Sequence, residues 1–168
     1  MKDLIIISGA PGSGKTVITE LLRKELNFPP VIDFGYIRNF HLDRKWKNKS
    51  KKEEEMSFVN LVFIIKNYKK YGYKNVIVND LEDYMIQKIP KLFSKYAIIS
   101  LIIENNKELE KRVLDIKRDS GFRNVKKAIE WNKKLKKRKL LKNEFKIDNT
   151  HNKPKETVKE ILKILKNE

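Results

Sequence analysis

Apolar residues in this chain fall into two kinds of pattern. Short uninterrupted runs lie at 2–8, 31–34, 75–79, 96–103 and 144–148. Leu4, Ile5, Ile6 and Ile7 set the type, and the runs lack the polar alternation of a half-exposed strand. That is how a strand buried on both faces reads. Between the runs, apolar residues recur every three or four positions, as an amphipathic helix requires. This spacing predicts helices over 16–26, 53–71, 106–117, 125–141 and 154–166. A shorter helical piece is predicted over about 82–93, interrupted by Pro90. The stretch 36–50 carries a helix start followed by a basic segment with no clear period.

Local signals agree with several of these boundaries. Pro29-Pro30 closes the first helical unit, and Gly72 is a stop for the helix over 53–71. Acidic residues at 53, 54 and 55 complement the dipole at its start. Pro154 opens the final helix, a position where its missing N–H costs nothing. Strands therefore alternate with helices from end to end. The expected fold is α/β, with a mostly parallel sheet covered on both faces in three layers.

At 168 residues the chain is the size of one domain with a full core. No Pro-, Gly- or Ser-rich linker divides it, and no repeat is visible. With no cysteine there is no disulfide, no zinc–thiolate site and no thiol nucleophile. No apolar run approaches the roughly 18 residues that would span a bilayer, and the N-terminus lacks the form of a signal peptide. A cytoplasmic protein with no membrane partner is the expectation. The net charge of +17 comes mostly from lysine spread among Asn and Ile. That spread reads as composition more than as a binding stripe, so a nucleic-acid partner is possible but not favoured.

The chemistry begins at the end of the first strand. Gly9-Ala10-Pro11-Gly12-Ser13-Gly14-Lys15-Thr16 fits G-x-x-x-x-G-K-[ST] without a departure. An apolar strand precedes it and an amphipathic helix follows, which is the context this Walker A loop needs. Glycines let the backbone curl so that its N–H groups point at phosphate oxygens. The helix start adds its positive dipole end. Lys15 is placed to reach the β- and γ-phosphates, and the Thr16 hydroxyl to ligate Mg²⁺. The chain is expected to bind ATP with Mg²⁺.

No Asn-Lys pair has an Asp two residues on, so the base-reading motif of GTPases is missing. The length argues against larger ATPase modules. Asp33 ends the second strand, near the carboxyl edge where ligands bind in open α/β sheets. The bland alternative, given less weight because strand ends in this topology face the ligand, is a cap on the next helix. Asp80 follows the third apolar run like a Walker B carboxylate, with Glu82 and Asp83 as further acids and helix capping as the bland reading. Arg112, Arg118 and Arg123 surround the break at 119–121, three of only seven arginines in the chain.

The loop at 8–16 and the ending Phe145-Lys146-Ile147-Asp148-Asn149-Thr150 resemble the P-loop kinases of the nucleoside monophosphate kinase group. Shikimate, gluconate and dephospho-CoA kinases share that group. The resemblance covers nearly the whole chain. It implies a five-stranded parallel sheet in the order 2-3-1-4-5, with the loop after the last strand near the adenine. It also implies a single domain over 1–168, with a substrate-binding region at about 34–72 and a small lid at about 112–127. In similar kinases an acid at the place of Asp33 takes the acceptor's proton or orients the acceptor. Arg38 would hold an anionic or polar group of the acceptor, and Asp80 would serve substrate and metal. Lid arginines, here Arg118 and Arg123, would close over the phosphates.

Two basic clusters remain, at 44–52 and 133–142. The second reads as a solvated helix face around Trp131, Leu135, Leu140 and Leu141. Trp46, within the first, suits either base stacking or packing on the next helix. His41 and His151 have no ligand partners in sequence. The leading expectation is thus a small ATP-dependent kinase acting on a nucleoside, nucleotide or small hydroxylated metabolite. A polynucleotide 5′-hydroxyl kinase and an ATP-dependent nucleic-acid-binding or regulatory ATPase module are the alternatives.

Overall fold

A computed structural model describes residues 2–41, 50–118 and 120–167. Readings that concern Trp46, the basic residues 44–49 and Asp119 lie outside these residues. The sheet contains β1 (Leu4–Gly9), β2 (Val31–Asp33), β3 (Val76–Asn79), β4 (Tyr96–Ile102) and β5 (Glu144–Asp148). All pairings are parallel and the order is β2-β3-β1-β4-β5. The expected strands and their expected order are both present.

The uninterrupted apolar runs follow from this order. Along β1, Leu4 and Ile6 point into one core while Ile5 and Ile7 point into the other. The first core joins the sheet to α2 (Phe34–Arg38), α3 (Lys51–Lys70), α4 (Asp83–Ile86) and α5 (Ile89–Leu92) through Phe34, Phe58, Leu61, Ile65, Met85 and Ile89. The second joins it to α1 (Lys15–Glu25) and α8 (Pro154–Asn167) through Ile18, Leu22, Val158 and Ile161. A third, smaller cluster holds α6 (Asn106–Leu114) against α7 (Val125–Lys137) through Leu109, Val113 and Ala128. Among the described residues no helix is long and apolar enough to cross a membrane.

Three helix boundaries differ from the periodic reading. The piece over 82–93 is two helices, and Pro90 sits in the first turn of the second. The break therefore falls before the proline, because the first turn needs no donor there. Helix α6 ends at Leu114, since Asp115 turns extended and its carboxylate accepts the Lys117 N–H. Ile116 is left 89% exposed and belongs to no apolar face. Helix α7 ends at Lys137 rather than near 141, and Leu140 is exposed.

Tertiary ion pairing explains that last boundary. Arg138 leaves the helix in an extended conformation. Its guanidinium reaches Asp83 at 2.8 Å and the fully buried Glu144 side chain at 2.7 Å. Glu144 also accepts from the Ser100 hydroxyl at 2.6 Å and the Leu141 N–H at 2.8 Å. Burial pushes the Glu144 carboxyl up, but the Arg138, Leu141 and Ser100 bonds outweigh it and hold the group below its ordinary value of 4.5. One network thus ties β5, β4, α4 and the end of α7 together.

Removing the cation should leave a buried charge. Arg138→Met is expected to cost about 3–5 kcal/mol in urea unfolding at neutral pH, with Arg138→Met/Glu144→Gln costing less. The Glu144 contribution is present above pH 4.5 and disappears as pH falls through its lower folded-state value. The gap between wild type and Arg138→Met should accordingly narrow in acid.

Candidate active site at the carboxyl edge of the sheet

Strand β1 runs into a loop that can form only without side chains at its bends. Gly9 has φ 153°, and a Cβ there would lie 2.3 Å from Ser13 Oγ and 2.8 Å from the Leu101 carbonyl. Gly12 (φ 89°) faces α6, where a Cβ would meet Val113 Cγ2 at 3.0 Å and Leu109 Cδ1 at 3.1 Å. Gly14 (φ 97°) takes the left-handed conformation that starts α1, with no side-chain cap. The Ile18 N–H makes the bond to the Gly14 carbonyl, so the amides ahead of it have no intrahelical acceptor. They stand at the positive end of α1.

Lys15 curls back over this loop. Its Nζ donates to the Gly9 carbonyl at 2.8 Å and the Ala10 carbonyl at 3.3 Å. Burial pulls its ammonium below the ordinary lysine value, Asp80 and Asp33 oppose that, and Arg118 adds to it. These four charges therefore share one locality. Thr16 is exposed in the first turn of α1. Ser13 is fully buried, and its Oγ has no hydrogen-bond partner among the described residues.

The acids stand at the ends of neighbouring strands. Register pairs Asp33 with Asn79, and Ile7 with Asn79, so Asp80 lies one residue beyond the tip of β3. Asp80 has φ 62°, a left-handed conformation that Asp tolerates better than most residues. Asp33 fulfils the capping reading, since its Oδ1 accepts the Gly35 N–H at 2.8 Å to start α2. It also carries the electrostatics of a site residue. Burial raises its carboxyl above the ordinary 3.8, the Gly35 bond opposes this, Asp80 adds to it and Lys15 counters. Asn79 is buried with its Oδ1 unpartnered among the described residues.

Arg38 is buried on α2. Its Nε lies 2.9 Å from Glu54 of α3, and its guanidinium reaches Glu82 at 3.8 Å. A 570 Å³ pocket beside this pair is lined by Lys51, Glu54, Glu55, Glu82, Tyr84 and Lys88. On the opposite side, Arg118 donates to the Val113 and Phe122 carbonyls and its charge is felt at Lys15. Arg123 is exposed, donates to the Ser120 and Phe122 carbonyls, and acts on Arg118. His41 faces Ser57 at 3.4 Å, and among the described residues no three His, Cys, Asp or Glu side chains cluster as a metal site. A divalent ion at Thr16 and Asp80 would then need further oxygens from a phosphate ligand.

Two residues at this edge do more than their sequence context suggests. Asn149 Nδ2 donates to the Ser13 carbonyl at 2.8 Å, and its Oδ1 accepts from Thr157 at 2.6 Å. It clasps the loop to the start of α8. Arg112 donates to the Asn149 and Thr150 carbonyls at 3.0 and 2.6 Å and pairs with Glu108. The motif at 147–149 points to Asn149, but its bond to Ser13 spans 136 residues and no local pattern encodes it.

No family profile matches the sequence, and no curated protein matches it either. The fold, however, is that of the P-loop kinases. A sugar kinase from Janibacter sp. HTCC2649 superposes with a TM-score of 0.74 at 13% identity, covering 99% of this chain and 95% of its own. A gluconokinase from Sinorhizobium meliloti 1021 gives 0.71 at 15%, covering 97% and 91%. Shikimate kinase from Aquifex aeolicus vf5 gives 0.62 at 17%, covering 98% and 96%.

The Asn149 clasp is testable. Asn149→Ala leaves the buried Ser13 carbonyl and Thr157 hydroxyl without their partner. It should lower stability by about 1–3 kcal/mol in thermal or urea unfolding. Affinity for a fluorescent ATP analogue should fall as well, because the loop loses its tie to α8.

Proposed function

We propose that the chain is a small kinase that moves the γ-phosphoryl group of ATP to a hydroxyl of a small metabolite. The observation that supports this most is geometric: Lys15 lies over the glycine loop after β1, and Asp33 and Asp80 stand at the level tips of β2 and β3 on the same sheet edge. An anion-binding loop alone suits any triphosphate-binding protein. An acid at the tip of β2, partly buried and held above its ordinary value, adds a proton acceptor at the same sheet edge. The kinases that share the fold bear names of sugar, gluconate and shikimate enzymes, which favours a small hydroxylated acceptor over a polynucleotide.

The loop's donors suit a polyphosphate. The first-turn amides of α1, the ammonium of Lys15 and the dipole of α1 all place positive charge at the loop. Lys15 would exchange the Gly9 and Ala10 carbonyls for phosphate oxygens. Thr16 and Asp80 would hold Mg²⁺, which supplies charge neutralisation between the β- and γ-phosphates when bound. Arg118 would neutralise charge that develops on the transferring group. Arg123 would join it if the lid at about 112–127 closes.

Asp33 has one carboxylate oxygen committed to Gly35, which fixes its orientation. The other would take the proton of the acceptor hydroxyl. As the acceptor's oxygen bonds the γ-phosphorus, the bond from that phosphorus to the departing ADP oxygen breaks. The region at about 34–72 holds the acceptor, with Arg38 shaping the site through Glu54 and Glu82.

An ATP-consumption screen over sugars, polyols, hydroxy acids and nucleosides tests the reading; stimulation by none of them would sink it. In the responsive reaction Asp33→Asn should lower kcat about 10²–10⁴-fold with KM for ATP little changed. Lys15→Ala should abolish triphosphate binding. The acid limb of the rate profile should lie above the ordinary 3.8 of an aspartate and vanish in Asp33→Asn.

Stability should move the other way. The folded chain holds the Asp33 proton to a higher pH than the unfolded chain does. Its contribution therefore falls as pH rises from 3.8 through the raised folded value. Asparagine keeps the cap without the buried charge, so Asp33→Asn should melt at an equal or higher temperature at neutral pH.

A further inference from the structure

A second cavity adjoins the first. It is an 810 Å³ groove between α3 and α5, lined by Phe58, Val59, Val62, Phe63 and Leu92, with Lys66, Lys70, Lys88 and Lys91 on its rim. Val59 is 56% exposed and Phe63 75%, a contiguous apolar strip on a helix whose other face fills the core. Scattered exposed apolar residues need no explanation, but a concave strip of this kind marks a binding surface. Its volume is that of a small-molecule site.

The groove and the pocket near Arg38 share Lys88. The Lys88 ammonium lies over both rings at the junction, 5.6 Å from the centre of Phe58 and 5.5 Å from that of Tyr84. Along α3 the pocket residues Glu54 and Glu55 stand one turn before the groove residues Phe58 and Val59. The stripe continues through Val62, Phe63 and Lys66, so pocket and groove form one trough. From Glu55 to Lys66 it runs roughly 16 Å at helical rise. Its polar end lies at Glu82, two residues from Asp80, and its apolar end lies away from the loop.

We propose that the acceptor is an amphiphile. Its hydroxyl-bearing head occupies the pocket of Glu54, Glu82 and Tyr84, and its apolar body lies in the groove over Phe58, Val59, Val62 and Leu92. The inference rests on the kinase reading for the chemistry of the head. The lysine rim selects a neutral or anionic amphiphile over a cationic one. It also opposes a second copy of this chain, which would bring a net charge of +17 against four lysines.

Acceptors compared in matched pairs test this: glucose against octyl glucoside, and glycerol against a 1-O-alkylglycerol. The alkyl member of a pair should show kcat/KM at least about tenfold higher, mainly through KM. Val59→Asp/Leu92→Asp, at two exposed positions, should erase that advantage. Equal kcat/KM within a pair, or an advantage that survives the double variant, overturns the inference and leaves the kinase reading standing. If no acceptor supports turnover although an ATP analogue binds in a Lys15-dependent way, the kinase reading fails instead. Binding of the anionic dye 1-anilinonaphthalene-8-sulfonate then decides the groove. Saturable binding lost in Val59→Asp/Leu92→Asp keeps it as an amphiphile site. Binding unaffected by the double variant overturns it, and a protein-docking face becomes the better reading.

Discussion

The geometry of the site depends on one steric constraint: the chain must leave the central strand with no side chain at Gly9. β1 has neighbours on both sides and cores on both faces, so it can turn only beyond its carboxyl end. There the backbone passes so close to Ser13 and Leu101 that a single Cβ would collide with both. The tight turn that results brings the Ser13 N–H onto the Ala10 carbonyl at 3.0 Å and aims the start of α1 at the sheet edge. Gly12 then lets α6 pack directly on the loop, and Gly14 leaves room for Asn149. A loop so confined is preorganised, and its amides need little reordering to meet an anion.

Around that fixed loop the sheet distributes acids by register. Parallel pairing sets the tips of β2 and β3 level, so that Asp33 and Asp80 face the same ammonium from adjacent strands. Burial holds the Asp33 proton more tightly than usual, and the like charge of Asp80 adds to that. The left-handed backbone at Asp80 is a second sign of local cost. Such costs persist where the surroundings impose them, and they gather at functional sites. The two cores supply that support: β3 is buried along its length, and the partly buried Ile32 and Val31 of the edge strand β2 pack against one core each.

Much of this was legible in the chain itself. The strands follow from uninterrupted apolar runs, the loop from its glycine spacing, and Asp33 and Asp80 from their positions at the ends of runs. The misreadings share a physical origin. Periodicity extends α7 to 141, but Arg138 gains more from Asp83 and Glu144 than from another helical turn. The α3 start was marked by a capping box, Ser50 with Glu53, which the glutamate run obscured. Arg38 stood out by its place just after β2, yet not as a side chain engaged by Glu54 and Glu82. Contacts across 16 or 136 residues are set by tertiary packing, and no local spacing announces them.

Charge reads differently once the residues have places. The lysine excess lies largely on solvated helix faces such as that of α7, where Lys133, Lys134 and Lys137 are exposed. The carboxylates near the loop are sparser and more buried: Glu54 at 3% exposure, Asp33 and Glu82 partly covered. An acidic centre within a basic surface suits a site that draws in polyphosphate from a distance and then manages a proton at close range. The long-range attraction weakens with salt over a Debye length of about 8–10 Å, whereas contacts within the half-buried site are screened much less. The surface charge therefore acts over distance, and the few placed acids act only on their near neighbours. On that division, the +17 total argues neither for nor against a nucleic-acid partner, and the trough that begins at Glu82 stands apart from it as a local feature with acids at one end and an apolar strip at the other.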